Sequence, residues 1–131
     1  MATATILTEI FEGTTGTYSA TLKDEADVAI SGLPFTGVRI SYYSKSSGNI
    51  VNSRNNQNIL NLNNVTITAA GAFSWKLQEA DVTVADSPKP DRVTHRAEIV
   101  VEWNDVASGP RQTTHVVDIP IKALTKAPLS A

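Results

Sequence analysis

From Arg92 to Trp103 the chain alternates so regularly that a β-strand is the only element that fits it. Val93, His95, Ala97, Ile99, Val101 and Trp103 take one face, and Thr94, Arg96, Glu98, Val100 and Glu102 take the other. A period of two is the strand period, because successive side chains point to opposite sides of a pleated backbone. Thr113 to Lys122 repeats the pattern, with Thr113, His115, Val117, Ile119 and Ile121 set against Thr114, Val116, Asp118, Pro120 and Lys122. Asn104 to Pro110 lies between the two runs and carries Asp105, Ser108, Gly109 and Pro110, residues that favour a turn. A hairpin centred near Ala107 would set Ile99 opposite His115 and His95 opposite Ile119. Pro120 has no N–H for a ladder, so its amide side is expected at an edge or a strand end.

Shorter runs with the same period precede this pair. Tyr18, Ala20 and Leu22 alternate with Thr17, Ser19, Thr21 and Lys23, and the polar turn Asp24-Glu25-Ala26-Asp27 ends that run. Val28 to Ile30 resumes briefly before Gly32 and Pro34. Thr36 to Tyr43 places Val38, Ile40 and Tyr42 on one face and Arg39, Ser41 and Tyr43 on the other. Ile50-Val51-Asn52-Ser53 is read as a short edge strand after the turn Ser44–Asn49. Val65–Thr68 and Ala72–Leu77, joined around Gly71, read as a hairpin. Glu79 to Asp91, with Pro88 and Pro90, reads as a crossing loop with room for one short helical turn.

No segment supplies the helical crossovers of a dozen or more residues that a parallel α/β sheet needs. The expected fold is therefore all-β: an immunoglobulin-like antiparallel β-sandwich of seven to eight strands, each burying one apolar face. Trp75 and Trp103 are the expected large core fillers. The antibody-type disulfide is absent, since the chain has no cysteine. At 131 residues the chain is read as a single domain, residues 1–131, with its core over about 5–122 and a flexible tail over 123–131.

Composition narrows the function classes. With 41% hydrophobic and 18% charged residues, the chain can form a core, and its surface relies on Thr, Ser and Asn. Net charge is −2 and the pI about 5.6, so no basic excess points to nucleic acid. Without cysteine there is no thiolate chemistry and no Cys-based zinc site. The opening Met1-Ala2-Thr3-Ala4-Thr5 lacks the basic and apolar segments of a secretion leader, and no apolar run suggests a membrane span. These features suit assembly in a cytoplasm.

Few residues suggest chemistry. His95 and His115 share a face but sit about 13 Å apart at the strand rise, too far to hold one metal. A half-buried histidine with a hydrogen-bond partner is the plainer reading of each. Asp24, Glu25 and Asp27 lack the spacing of a calcium loop, and Asp81, Asp86 and Asp91 are scattered. There is no Gly-x-Ser-x-Gly elbow and no phosphate-binding glycine loop. Asn64-Val65-Thr66 matches a glycosylation triplet but carries little weight without a secretion signal. Arg54 to Asn64 is the least regular region and holds Asn55, Asn56, Asn58, Asn61, Asn63 and Asn64. Amides both donate and accept, so Arg54, Asn55, Asn56, Asn58 and Asn61 form a candidate interaction loop. The alternative is a loop whose asparagines serve tight turns. Of Phe35, Tyr42 and Tyr43, alternation assigns Tyr42 to the core and leaves Tyr43 as the candidate surface aromatic. No catalytic, cofactor-binding or metal residue is assigned, and no cofactor is expected.

The stretch Tyr18-Ser19-Ala20-Thr21-Leu22-Lys23-Asp24, then Ile30, then Val38-Arg39-Ile40-Ser41-Tyr42, resembles the opening of bacterial and phage immunoglobulin-like modules. The later run is Val65-Thr66-Ile67, Gly71-Ala72-Phe73-Ser74-Trp75-Lys76-Leu77, then His95 to Trp103 and Thr114 to Ile119. It resembles small tailed-bacteriophage virion proteins. The resemblance spans most of Thr17 to Ile121 and implies a structural accessory protein of a phage particle (capsid decoration, neck, tail or baseplate). Its partners would be other virion proteins and further copies of itself, with no nucleic acid and no membrane. It would be assembled in the host cytoplasm and reside in the virion. Strand addition at an edge, or a tail that orders on docking, would serve such a role, with Met1–Ile10 and Ala123–Ala131 as the candidate segments. A carbohydrate- or cell-surface-binding module is the second reading and would make a glycan the ligand. An enzyme is the third and has no constellation to support it.

Overall fold

The computed structural model describes residues 5–24, 26, 28, 30, 35–68, 71–84, 90–105 and 109–124. Among the described residues nine strands run in chain order: β1 Thr5–Ile6, β2 Ile10–Phe11, β3 Gly16–Thr21, β4 Phe35–Ser44, β5 Gln57–Asn58, β6 Val65–Ile67, β7 Ala72–Leu77, β8 Arg92–Asp105 and β9 Gly109–Lys122. A 3-10 turn, η1, spans Glu79–Val82. The larger sheet has the order β1-β9-β8-β4-β5, with β2 also on β9, and the smaller has the order β3-β7-β6. The architecture is an all-β sandwich of two sheets.

The 14-residue strands β8 and β9 form its spine. Their register pairs Ile99 with His115 and His95 with Ile119, as the alternation predicts. Along β8, Val93, His95, Ala97, Ile99, Val101 and Trp103 are all buried, while the residues between them are at least partly exposed. Val38, Ile40 and Tyr42 extend this apolar layer from β4. The facing layer is Leu22, Val65, Ile67, Phe73, Trp75 and Leu77, from the smaller sheet and the segment after β3. Trp75 and Trp103 are 0% and 1% exposed. Each fully buried aliphatic or Phe side chain contributes roughly 1.5–3 kcal/mol, so these alternating positions dominate the stability of the fold.

Several elements depart from the expectation. Ile50–Ser53 is not a strand. It makes one bridge, Tyr43 to Ile50, and Asn52 and Ser53 turn away at φ 53° and 55°. Of Met1–Ile10, a candidate docking segment, residues 1–4 lie outside the described residues, and Thr5, Ile6 and Ile10 pair with β9. That pairing is parallel, so the larger sheet is mixed rather than wholly antiparallel. A parallel neighbour needs a long connection. Here the rest of the domain is that connection.

Pro120 explains why β1 and β2 are separate. The carbonyls of Asp118 and Lys122 accept from Leu7 N and Glu12 N. By alternation Pro120 faces the same side, at the gap between the two short strands, where no donor is required. Ser108 and Ala107 of the hairpin turn, and residues 125–131 of the tail, lie outside the described residues.

Candidate docking face and the polar cluster beneath it

The segment from Asn49 to Ile59 runs along the edge of β4. Ser44 N donates to Asn49 O, Tyr42 N to Arg54 O, Val51 N to Tyr42 O and Ile59 N to Val38 O, at 2.8–3.0 Å. Asparagine makes the tight path possible. Asn52, Asn56, Asn61, Asn63 and Asn64 all adopt positive φ, which short polar side chains tolerate better than most.

That path turns Arg54 inward, to 1% exposure. Its Nε donates to Asp81 Oδ1 at 2.6 Å and its Nη2 to Asp81 Oδ2 at 3.1 Å. Nη1 donates to Gln57 Oε1 at 2.7 Å, and the guanidinium carbon sits 5.4 Å from the Trp75 ring centroid. Asp81, 0% exposed, also accepts from Gln78 N at 2.8 Å and Asn52 Nδ2 at 2.9 Å. The Tyr42 hydroxyl donates to Asp81 O at 2.9 Å, and His95 Nδ1 lies 3.3 Å from that hydroxyl. Burial, reinforced by the Asp81 carboxylate, pushes the Tyr42 phenol far above its ordinary range. Tyr42 therefore keeps its proton, and Arg54 and Asp81 are paired beside it through two hydrogen bonds. The cluster ties η1 and the Asn-rich segment to the larger sheet. Trp75 Nε1 is buried beside it with no acceptor among the described residues.

By pattern alone Arg54 belongs with the loop amides and Asp81 stands among scattered acids. The pair spans 27 residues between two irregular segments, so no period connects the partners.

The outer face of the larger sheet is organised differently. Tyr43, Arg96 and Asp118 form one cross-strand row. Arg96 holds Asp118 through Nε at 2.8 Å and Nη2 at 3.0 Å, and Lys45 Nζ lies 3.4 Å from the same carboxylate. The Arg96 hydrogen bonds hold the Asp118 carboxyl below the usual carboxylate range. The Tyr43 hydroxyl donates to Glu98 Oε2 at 2.6 Å, which raises its phenol. Ile50 pairs with Tyr43 and is 41% exposed. Next along β4, Ser41 Oγ accepts from Asn56 N at 3.2 Å and Arg39 Nη1 donates to Asn56 O at 3.3 Å, with Asn58 opposite Arg39.

The structure thus gathers Tyr43, Asn56 and Asn58 on one face, together with Ile50, Arg39 and Ser41. Asn55 is exposed in the turn just before Asn56. Asn61 instead faces β6, where its Oδ1 accepts from Ile67 N at 2.7 Å. Asn58 Oδ1 accepts from Leu60 N at 3.1 Å, so part of its capacity is used within the loop. Alternation already places Arg39 and Ser41 on the face of Tyr43, whereas no period announces Ile50, whose place beside Tyr43 depends on the 49–59 segment covering the β4 edge.

The remaining candidates serve structure. His115 Nε2 donates to Lys23 O at 3.0 Å, linking β9 to the segment after β3, and burial lowers its pKa. Asp24 Oδ1 accepts from Ala26 N and Val28 N at 2.9 and 3.0 Å, closing a turn. Glu25, Asp27 and Asp86 lie outside the described residues. Among the described residues no cluster of His, Asp or Glu is placed to hold a metal. Comparison with family models, with curated proteins and with solved structures returns no match.

Proposed function

We propose that the chain is a binding and assembly module that docks on other proteins through the outer face of its larger sheet. Following the resemblance of its strand pattern to tailed-phage virion proteins, it would serve as a structural accessory protein of such a particle. The observation that supports this reading is the grouping of Tyr43, Ile50, Arg39, Asn56 and Asn58 on one exposed face. Aromatic and arginine side chains beside amides are the composition that protein interfaces favour, and the aromatic and Arg anchors carry most of their energy. The Arg54–Asp81 cluster beneath holds the loop in one conformation, which lowers the entropy lost on docking.

The test is co-sedimentation of the purified protein with particles of the phage whose genome encodes it. The double variant Arg39→Glu, Tyr43→Ala should co-sediment at least about tenfold less, while unfolding like the parent. Unchanged co-sedimentation would move the docking site elsewhere. A glycan-binding role is the second reading, favoured by Tyr43 lying beside the amides of Asn56 and Asn58. Glycan-array binding that disappears in Tyr43→Ala would select it.

A further inference from the structure

The edge strands of the two sheets are unequal. Among the described residues β1, β2 and β5 are two residues long, too short to template another chain. β6 has three residues, and Asn61 Oδ1 already takes the Ile67 amide at its edge. β3 differs. It is six residues long, Gly16–Thr21, and among the described residues it pairs on one side only, with β7.

Leu22 N donates to Gly71 O at 2.8 Å, so the even-numbered residues of β3 point their backbone groups at β7. By alternation Thr17, Ser19 and Thr21 point theirs away, and these groups meet no partner among the described residues. Natural edges are usually protected by lysine, proline, a bulge or a covering segment. Among the described residues β3 has none of these, only the exposed hydroxyl residues Thr17, Ser19 and Thr21.

We propose that this edge pairs with the same edge of a second copy, joining the two smaller sheets into one across a two-fold axis at Ser19. An isologous contact sets each residue against a symmetry-related residue, so a charge near the axis would face its own like. This edge is neutral. Antiparallel pairing centred on Ser19 sets Thr17 opposite Thr21 of the second copy and Ser19 opposite Ser19. These are the residues whose backbone groups face outward, so they form the hydrogen-bonded pairs, with about six bonds in all. Hydroxyl residues opposite one another are favourable cross-strand partners.

The inward side chains also fit. The same register places half-buried Tyr18 opposite Ala20, and Gly16 opposite Leu22, large against small each time. Lys23 falls opposite Thr15 rather than another charge. Beside the edge lies an apolar recess of about 210 Å³ whose walls include Leu7, Ile10, Tyr18, Leu77 and Ile119, and the second copy would cover it. The contact leaves the outer face of the larger sheet free, so it is independent of the docking role proposed above. One strand pair is a small interface, and the dimer is expected to be weak.

Sedimentation velocity over micromolar to millimolar concentrations tests this directly. The parent protein should pass from monomer to dimer. Ser19→Lys and Ser19→Glu should each weaken self-association by roughly fivefold or more, because like charges then meet at the axis. An equimolar mixture of the two variants should restore a heterodimer. In the concentrated parent, hydrogen exchange should slow at the Thr17, Ser19 and Thr21 amides and not elsewhere in β3. A parent that stays monomeric throughout, or a dimer that persists unchanged in Ser19→Lys, overturns the proposal. So does a mixture that associates no better than either variant alone.

Discussion

At the scale of single residues, the most consequential side chain is Arg54. A guanidinium at 1% exposure is tolerated because every face of it is used: Asp81 in bidentate geometry, Gln57 and Gln78 at its nitrogens, and Trp75 against its plane. Removing one member of a buried ion pair costs about 3–5 kcal/mol, because the other charge is left in a dry site. Arg54→Met should therefore lower the free energy of unfolding in urea by about that much. The double variant Arg54→Met, Asp81→Leu should lose less than the single one, since no charge is then stranded. A loss below about 1 kcal/mol in Arg54→Met would mean that Asn52 and Gln78 suffice to hold Asp81.

At the scale of elements, β8 and β9 are joined on their outer side by Arg96 and Asp118. Asp118 is 5% exposed and its folded pKa lies below the ordinary value, chiefly through the Arg96 hydrogen bonds. A depressed carboxyl stabilises the fold fully above its unfolded pKa of about 3.9. That contribution disappears as pH falls through the lower folded value. Urea midpoints measured from pH 6 down to pH 2 should fall for the parent and fall less for Asp118→Asn. Equal slopes would assign the acid sensitivity to other carboxyls.

The same elements show how much of the structure was legible beforehand. The β8–β9 register was, because both runs keep one alternation long enough that a slip of one would expose every apolar residue. The inward faces of β4, β6 and β7 were legible for the same reason. β1, β2 and β5 were not, since two residues carry no period. Ile50–Ser53 had strand-like composition, but Asn52 and Ser53 supply positive φ there and turn the chain instead. Of the candidate loop, the amides reached the surface, whereas Arg54 turned inward to a partner that no local pattern announces. The edge of β3, uncovered among the described residues, could be recognised only once every other edge had been assigned.

For the whole molecule, the closing feature is the parallel contact between its first and last strands. Thr5 pairs with Val117 and Ile10 with Ile121, so the larger sheet is completed only when distant parts of the chain meet. Glu12 reinforces the closure. Its Oε2 accepts from Val84 N at 2.9 Å and its Oε1 from Leu124 N at 3.1 Å, joining three segments. Deleting residues 1–12 should leave the core strands paired while opening one side of β9, and the effect should follow the alternation of that strand. Asp118 and Lys122 point their backbone groups at the N-terminal segment. Ile119 and Ile121 point theirs at β8. Hydrogen exchange in the shortened protein should therefore speed up at the Asp118 and Lys122 amides, while the Ile119 and Ile121 amides keep most of their protection. A uniform loss across β9 would instead show that the N-terminal strands are needed for the sheet to fold as a unit, so that their pairing contributes to global rather than local stability.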